Sequence, residues 1–209
     1  LPTYGDYYAF VIAAIMLFVA FVGPEVLCTD RRTGMLGVYL SSPLDRDTYL
    51  YGKAIAIAAA LSLVCLGPPL LLLVANVLQS QGPTGFGDIV LTFLRVIGAG
   101  ICLTLMYTAI TMGVASLTDR KAVATASIIL LFLVTLTVTG ILTSAGTVVG
   151  IRVICPTLLS LDLASRVHGE AGSNMATASS ALVWAAWAAW TVGGFALARF
   201  RLHALQVTR

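Results

Sequence analysis

Charge is scarce in this chain. Lys, Arg, Asp and Glu together make up 10% of 209 residues, 59% are hydrophobic, and the mean hydropathy is +0.98. A soluble domain carries about 25% charged residues, so a water-facing surface all round is excluded and several membrane helices are required. The net charge is only +3 and the twelve basic residues are scattered, which gives no sign of a nucleic-acid-binding face. Cysteine is equally sparse. Cys28, Cys65, Cys102 and Cys155 stand far apart with no C-x-x-C pair, so neither a disulfide framework nor a zinc site is implied. Cys65 and Cys102 fall in apolar runs and read as small apolar residues. The chain has two histidines, His168 and His203, and neither lies in an apolar run. An intramembrane enzyme would need a convergent nucleophile–base or metal set there. A Gly-x-x-x-x-Gly-Lys-Ser/Thr loop is also missing, and Gly52-Lys53 lacks both the glycine loop before it and the Ser or Thr after it. The chain therefore does not bind a nucleotide by that route.

What is present is a series of apolar runs. They place spans at about 8–27, 49–78, 89–117, 122–142 and 181–200, with a polar loop at 28–48 and a half-apolar segment at 143–180, all in one transmembrane domain. Gly23-Pro24-Glu25 is expected to bend the end of the first span, with Glu25 at the membrane surface near Arg31 or Arg32. Tyr4, Tyr7 and Tyr8 read as an interfacial aromatic anchor at the opposite end. Gly67-Pro68-Pro69 is expected to kink or break the second span, either as a gating hinge or as a packing bend satisfied by neighbours. In the third span Thr104, Tyr107, Thr108 and Thr111 recur at threes and fours and share a face. That face reads either as the polar wall of a translocation pathway or as interhelical hydrogen bonding. Gly98, Gly100, Gly113 and Ala115 permit close backbone approach. In the last span Trp184, Trp187 and Trp190 form a lipid-facing or packing stripe, and Ala189-x-x-x-Gly193 reads as a small-residue packing seam.

The segment 143–180 is expected to hold a short helix over Thr157–His168 at the outer surface or dipping into it. Pro156 falls near its start and Gly169 at its C-terminal cap. Asp162, Arg166, His168 and Glu170 there read as a solvated interfacial face rather than a metal or catalytic site. His203 reads as solvated in a short basic tail.

The longest polar interval of the first half, Asp30–Lys53, holds Arg31, Arg32, Arg46 and Lys53, four of the twelve basic residues. Asp30 or Thr33 could cap a helix there, and Pro43 would stop it. Leu36, Tyr39, Leu40 and Pro43 would share one face. Spacing alone leaves two readings open, a docking helix for a cytosolic partner or a solvated loop on lipid headgroups.

This interval resembles the loop between the second and third spans of ABC-2-type transporter permeases. Asp30, Arg31, Gly34, Leu36, Leu40, Ser42, Pro43, Gly52 and Lys53 match that pattern, while Arg32, Met35 and Tyr39 depart from it. The step from Gly113 to Thr118 resembles the family between its fourth and fifth spans. The resemblance implies an all-α polytopic membrane protein with a cytosolic coupling helix and a short re-entrant or interfacial outer helix. Five transmembrane helices are visible, and a sixth is expected before Leu1. It implies that Arg31, Arg32, Gly34, Leu36, Tyr39, Leu40 and Pro43 couple the chain to a nucleotide-binding ATPase subunit. A second permease subunit, the same chain or a related one, is expected within membrane lipid. No cofactor is expected on this chain, since ATP and magnesium would sit on the ATPase.

With five spans and a cytosolic C-terminus, nine basic residues fall inside against Arg95, Arg152 and Arg166 outside, as the positive-inside rule requires. The reading is a non-catalytic permease subunit of an ATP-driven exporter in a bacterial cytoplasmic membrane. The alternative is a secondary carrier or channel, for which Glu25, Arg95 and the Pro68-Pro69 break are the candidates.

Overall fold

The computed structural model describes residues 4–33, 46–79, 85–145, 149–169 and 178–204, and every regular element among them is helical. In hydrocarbon each backbone N–H and C=O must be paired within its own segment, which selects helices for long apolar runs. The long helices are α1 (Tyr4–Arg32), α2 (Arg46–Leu78), α3 (Phe86–Ala115), α4 (Lys121–Ser144) and α6 (Ser180–Ala204). A short 3-10 helix, Val149–Ile154, and α5 (Pro156–Val167) lie between α4 and α6. The five long helices are each long and apolar enough to cross a membrane. The chain is a polytopic all-α membrane protein. The 33 residues of α2 rise about 50 Å, against a hydrocarbon core of about 30 Å, so its ends extend beyond the lipid tails.

Helix α3 is the axis of the bundle. Leu103, Met106, Tyr107 and Met112 are fully buried, and α1, α2, α5 and α6 all pack on it. Glycine sets the closest approaches. A β-carbon at Gly194 of α6 would lie 2.3 Å from the Ala109 carbonyl oxygen, and one at Gly113 would lie 3.1 Å from the Gly194 carbonyl. The α3–α6 seam therefore runs through Gly194. It does not run through Ala189 and Gly193: Gly193 faces open space and both line a groove. A small-residue pattern fixes the spacing of a seam but not the rotation of its helix.

Prolines do not interrupt the helices. Pro24 lies inside α1, and Pro68 and Pro69 lie inside α2. Pro69 has no N–H to give the carbonyl four residues back, and that carbonyl, Cys65, receives the Tyr8 hydroxyl at 3.4 Å instead. Tyr8 is thus a buried contact rather than an interfacial anchor. Asp30 also differs from the capping expectation. It lies inside α1, which continues to Arg32, and Thr33 closes the helix by donating its hydroxyl to the Thr29 carbonyl at 2.9 Å.

Helix α5 enters the bundle at an incline. Pro156 occupies its first turn, and Gly169 follows its end with φ +83°, a left-handed conformation that glycine adopts without steric cost. Near its start, Thr157 reaches Met16, about 18 Å along α1 from Tyr4, and Ser160 meets the Tyr107 hydroxyl at 2.9 Å. Near its end, the His168 ring lies 6.4 Å from that of Tyr8, and Arg95 donates to the His168 carbonyl at 3.0 Å. The polar side of α5 is buried rather than solvated: Thr157, Ser160, Asp162 and His168 all face protein. Asp162 pairs with Arg166 at 2.6 Å, and Arg166 also donates to Ser180 and to the Ala178 carbonyl. These bonds tie α5 to the start of α6.

Candidate functional site at the charged end of the bundle

The ends of α1, α2, α3, α4 and α6 that carry most of the cations meet in a frame of ion pairs. Asp30 of α1 accepts from Lys53 of α2 at 2.6 Å and from the Tyr49 hydroxyl at 3.0 Å. Lys53 stands 5.7 Å from the centre of the Tyr49 ring, within cation–π range. Glu25 of α1 pairs with Lys121 of α4. The pairing follows from the turn between α3 and α4, which docks on α1 so that the Cys28 thiol faces the Thr118 carbonyl at 3.5 Å.

Asp47, in the first turn of α2 and before its apolar stretch, takes both arms of Arg199 from α6 at 3.0 and 2.8 Å. His203 reaches the same carboxylate at 3.1 Å, so it is engaged rather than merely solvated. Hydrogen bonds from Arg199 first, and His203 second, hold the Asp47 carboxyl below its ordinary range. Arg46 donates to the His203 carbonyl at 2.9 Å.

This frame borders the segment 34–45 that joins α1 to α2. Of the expected coupling residues, Arg31 and Arg32 occupy the last turn of α1. Gly34, Leu36, Tyr39, Leu40 and Pro43 lie outside the described residues. Sequence reasoning missed Asp47, Arg199 and His203 as a unit. Asp47 and Arg199 are 152 residues apart, and only the packing of α2 against α6 brings them together. Asp47 at a helix start and Arg199 at a helix end were the available signal.

The second set of expected site residues lies in the interior. Thr104, Tyr107, Thr108 and Thr111 are all buried, but they do not act as one face. Tyr107 turns to Ser160 of α5 and to Phe132 of α4, whose ring is 6.0 Å away. Thr111 presses on Gly23 of α1, and Thr104 sits beside the Cys65 thiol of α2. The Thr108 and Thr111 hydroxyls have no hydrogen-bond partner among the described residues. In α6, Trp187 donates to the Cys102 carbonyl at 2.9 Å and meets Trp184 edge to face at 5.8 Å, which makes that part of the tryptophan stripe a packing surface. Among the described residues no group of three or more His, Cys, Asp or Glu is placed to hold a metal ion.

Five apolar crossings, four of them packed around α3, with a charged frame at one end, define a multi-pass membrane protein. The family of ABC-2 family transporter proteins matches residues 3–201. The chain belongs to that family and is a membrane-spanning permease subunit of an ABC transporter. No curated protein and no solved structure matches it.

Proposed function

We propose that the chain is the permease of an exporter, and that a separate ATPase subunit docks on Arg31, Arg32, Gly34, Leu36, Tyr39, Leu40 and Pro43. ATP and magnesium are then held by the ATPase. The observation that carries the reading is the ion-paired frame. Asp30, Lys53 and Tyr49 tie α1 to α2 at the two ends of segment 34–45. Asp47 and Arg199 tie α2 to α6. A push on the segment therefore reaches three spans together instead of being lost in one loop. ATP-driven closure of the ATPases would use that link to shift the bundle between inward-facing and outward-facing states.

The charge distribution supports a cytosolic location for this end. Arg46, Lys53, Arg120, Lys121, Arg199 and Arg201 gather here, against Arg95, Arg152 and Arg166 at the opposite end, as the positive-inside rule favours. The C-terminus is then cytosolic, in a bacterial cytoplasmic membrane. A second permease subunit completes the pathway. Thr104, Tyr107, Thr108 and Thr111 line that pathway only in a state in which neighbouring helices have moved off α3.

A photo-crosslinking residue in place of Tyr39 tests the docking surface. In membranes containing the whole transporter, irradiation should join the permease to the ATPase subunit, and ATP should change the yield. Labelling of lipid alone, with no ATPase adduct, overturns the proposal.

A further inference from the structure

A groove opens beside the α3–α6 seam, and the coupling scheme does not use it. It encloses about 660 Å³ and is lined almost wholly by carbon, with Gly113, Leu117, Ile154, Trp190, Gly193 and Leu197 among its walls. That volume falls in the roughly 300–1,000 Å³ range of small-molecule sites. Along α6 the lining runs from Ala186 to Leu197, about 16 Å at the helical rise. The hydrocarbon of one leaflet is about 15 Å deep, half of the roughly 30 Å core.

The charged end of the groove is marked by Arg201. It lies one turn beyond Leu197 on the same stripe of α6. Its guanidinium is exposed and donates to the carbonyl of Leu117, a lining residue, at 3.5 Å. Arg201 thereby sets a positive charge beside the groove at that end. A hydrocarbon slot one leaflet deep, with a cation at the headgroup level, is complementary to a single amphiphile of negative charge. We propose that the groove holds an acyl chain of an anionic phospholipid, with its phosphate against Arg201. The inference requires only that the chain spans a membrane and is independent of how an ATPase docks.

The test is native mass spectrometry of the full-length protein, purified in detergent, stripped of lipid, and titrated with phosphatidylglycerol or phosphatidylcholine of matched chains. One arginine near an anionic headgroup gives about a fivefold preference for phosphatidylglycerol. Arg201→Gln should bring the two lipids to equal affinity. Gly193→Leu fills the groove at a position where a β-carbon meets nothing within 4 Å. It should abolish the tightest site for both lipids while leaving the melting temperature unchanged. Equal binding of the two lipids by the unmodified protein, or a preference that survives either substitution, overturns the proposal. So does a Gly193→Leu protein that changes its monomer–dimer ratio and keeps its lipid, because a second copy would then be the occupant.

Discussion

The Tyr8 hydroxyl donates to the Cys65 carbonyl at 3.4 Å, and Pro69, four residues after Cys65, is the reason that carbonyl is free to accept. The bond repairs a gap that proline opens in α2 and fixes α1 against it. The expected break in the second span is thus a satisfied packing point within one helix.

Tyr8→Phe should cost about 0.5–1.5 kcal/mol, read by thermal or SDS unfolding of the purified protein. In a Pro69→Ala background the helix supplies its own N–H, and the same substitution should cost less than half as much. Equal costs in the two backgrounds would show that the hydroxyl and the proline are not coupled.

The two neighbouring glycines of α6 should behave oppositely. Gly194→Ala drives a β-carbon into the Ala109 carbonyl and should destabilise by about 1–3 kcal/mol. Gly193→Ala meets no neighbour and should be neutral or stabilising by up to about 1 kcal/mol. Melting temperatures of the two purified variants decide the matter, and equal losses would contradict the assigned seam.

The succession of spans was legible because lipid demands long apolar helices, and that demand is written locally in the chain. The start of α5 at Pro156 and its close at Gly169 were legible for the same local reason. Rotation about a helix axis was not. Small residues recur at both Gly193 and Gly194, and only the facing Ala109 and Gly113 choose between them. Tyr8 looked interfacial because a tyrosine near a helix end suits lipid headgroups as well as a buried carbonyl. Asp47, Arg199 and His203 were invisible as a unit because their meeting depends on which helices are neighbours. The reading of the coupling residues rests on the family pattern in segment 34–45, where the described structure contributes the bordering frame.

Asp162 is buried, and Arg166 is the cation that balances it. Arg166→Ala strands a carboxylate in the protein and should cost about 3 kcal/mol. Asp162→Ala added to it should recover part of that loss, a coupling that a double-mutant cycle on unfolding free energy measures. Additive losses would mean the pair does not act as a unit.

The central claim is that this permease works through an ATPase docked on the segment between α1 and α2. The direct measurement is a pull-down of the full-length protein from its own membrane, with ATP hydrolysis assayed on the eluate. It is repeated on a variant with Leu36, Tyr39 and Leu40 changed to Asp. The account predicts that an ATPase subunit co-elutes with the unmodified protein and is lost from the variant. No ATPase in either sample would contradict it and would favour a carrier or channel that runs without one.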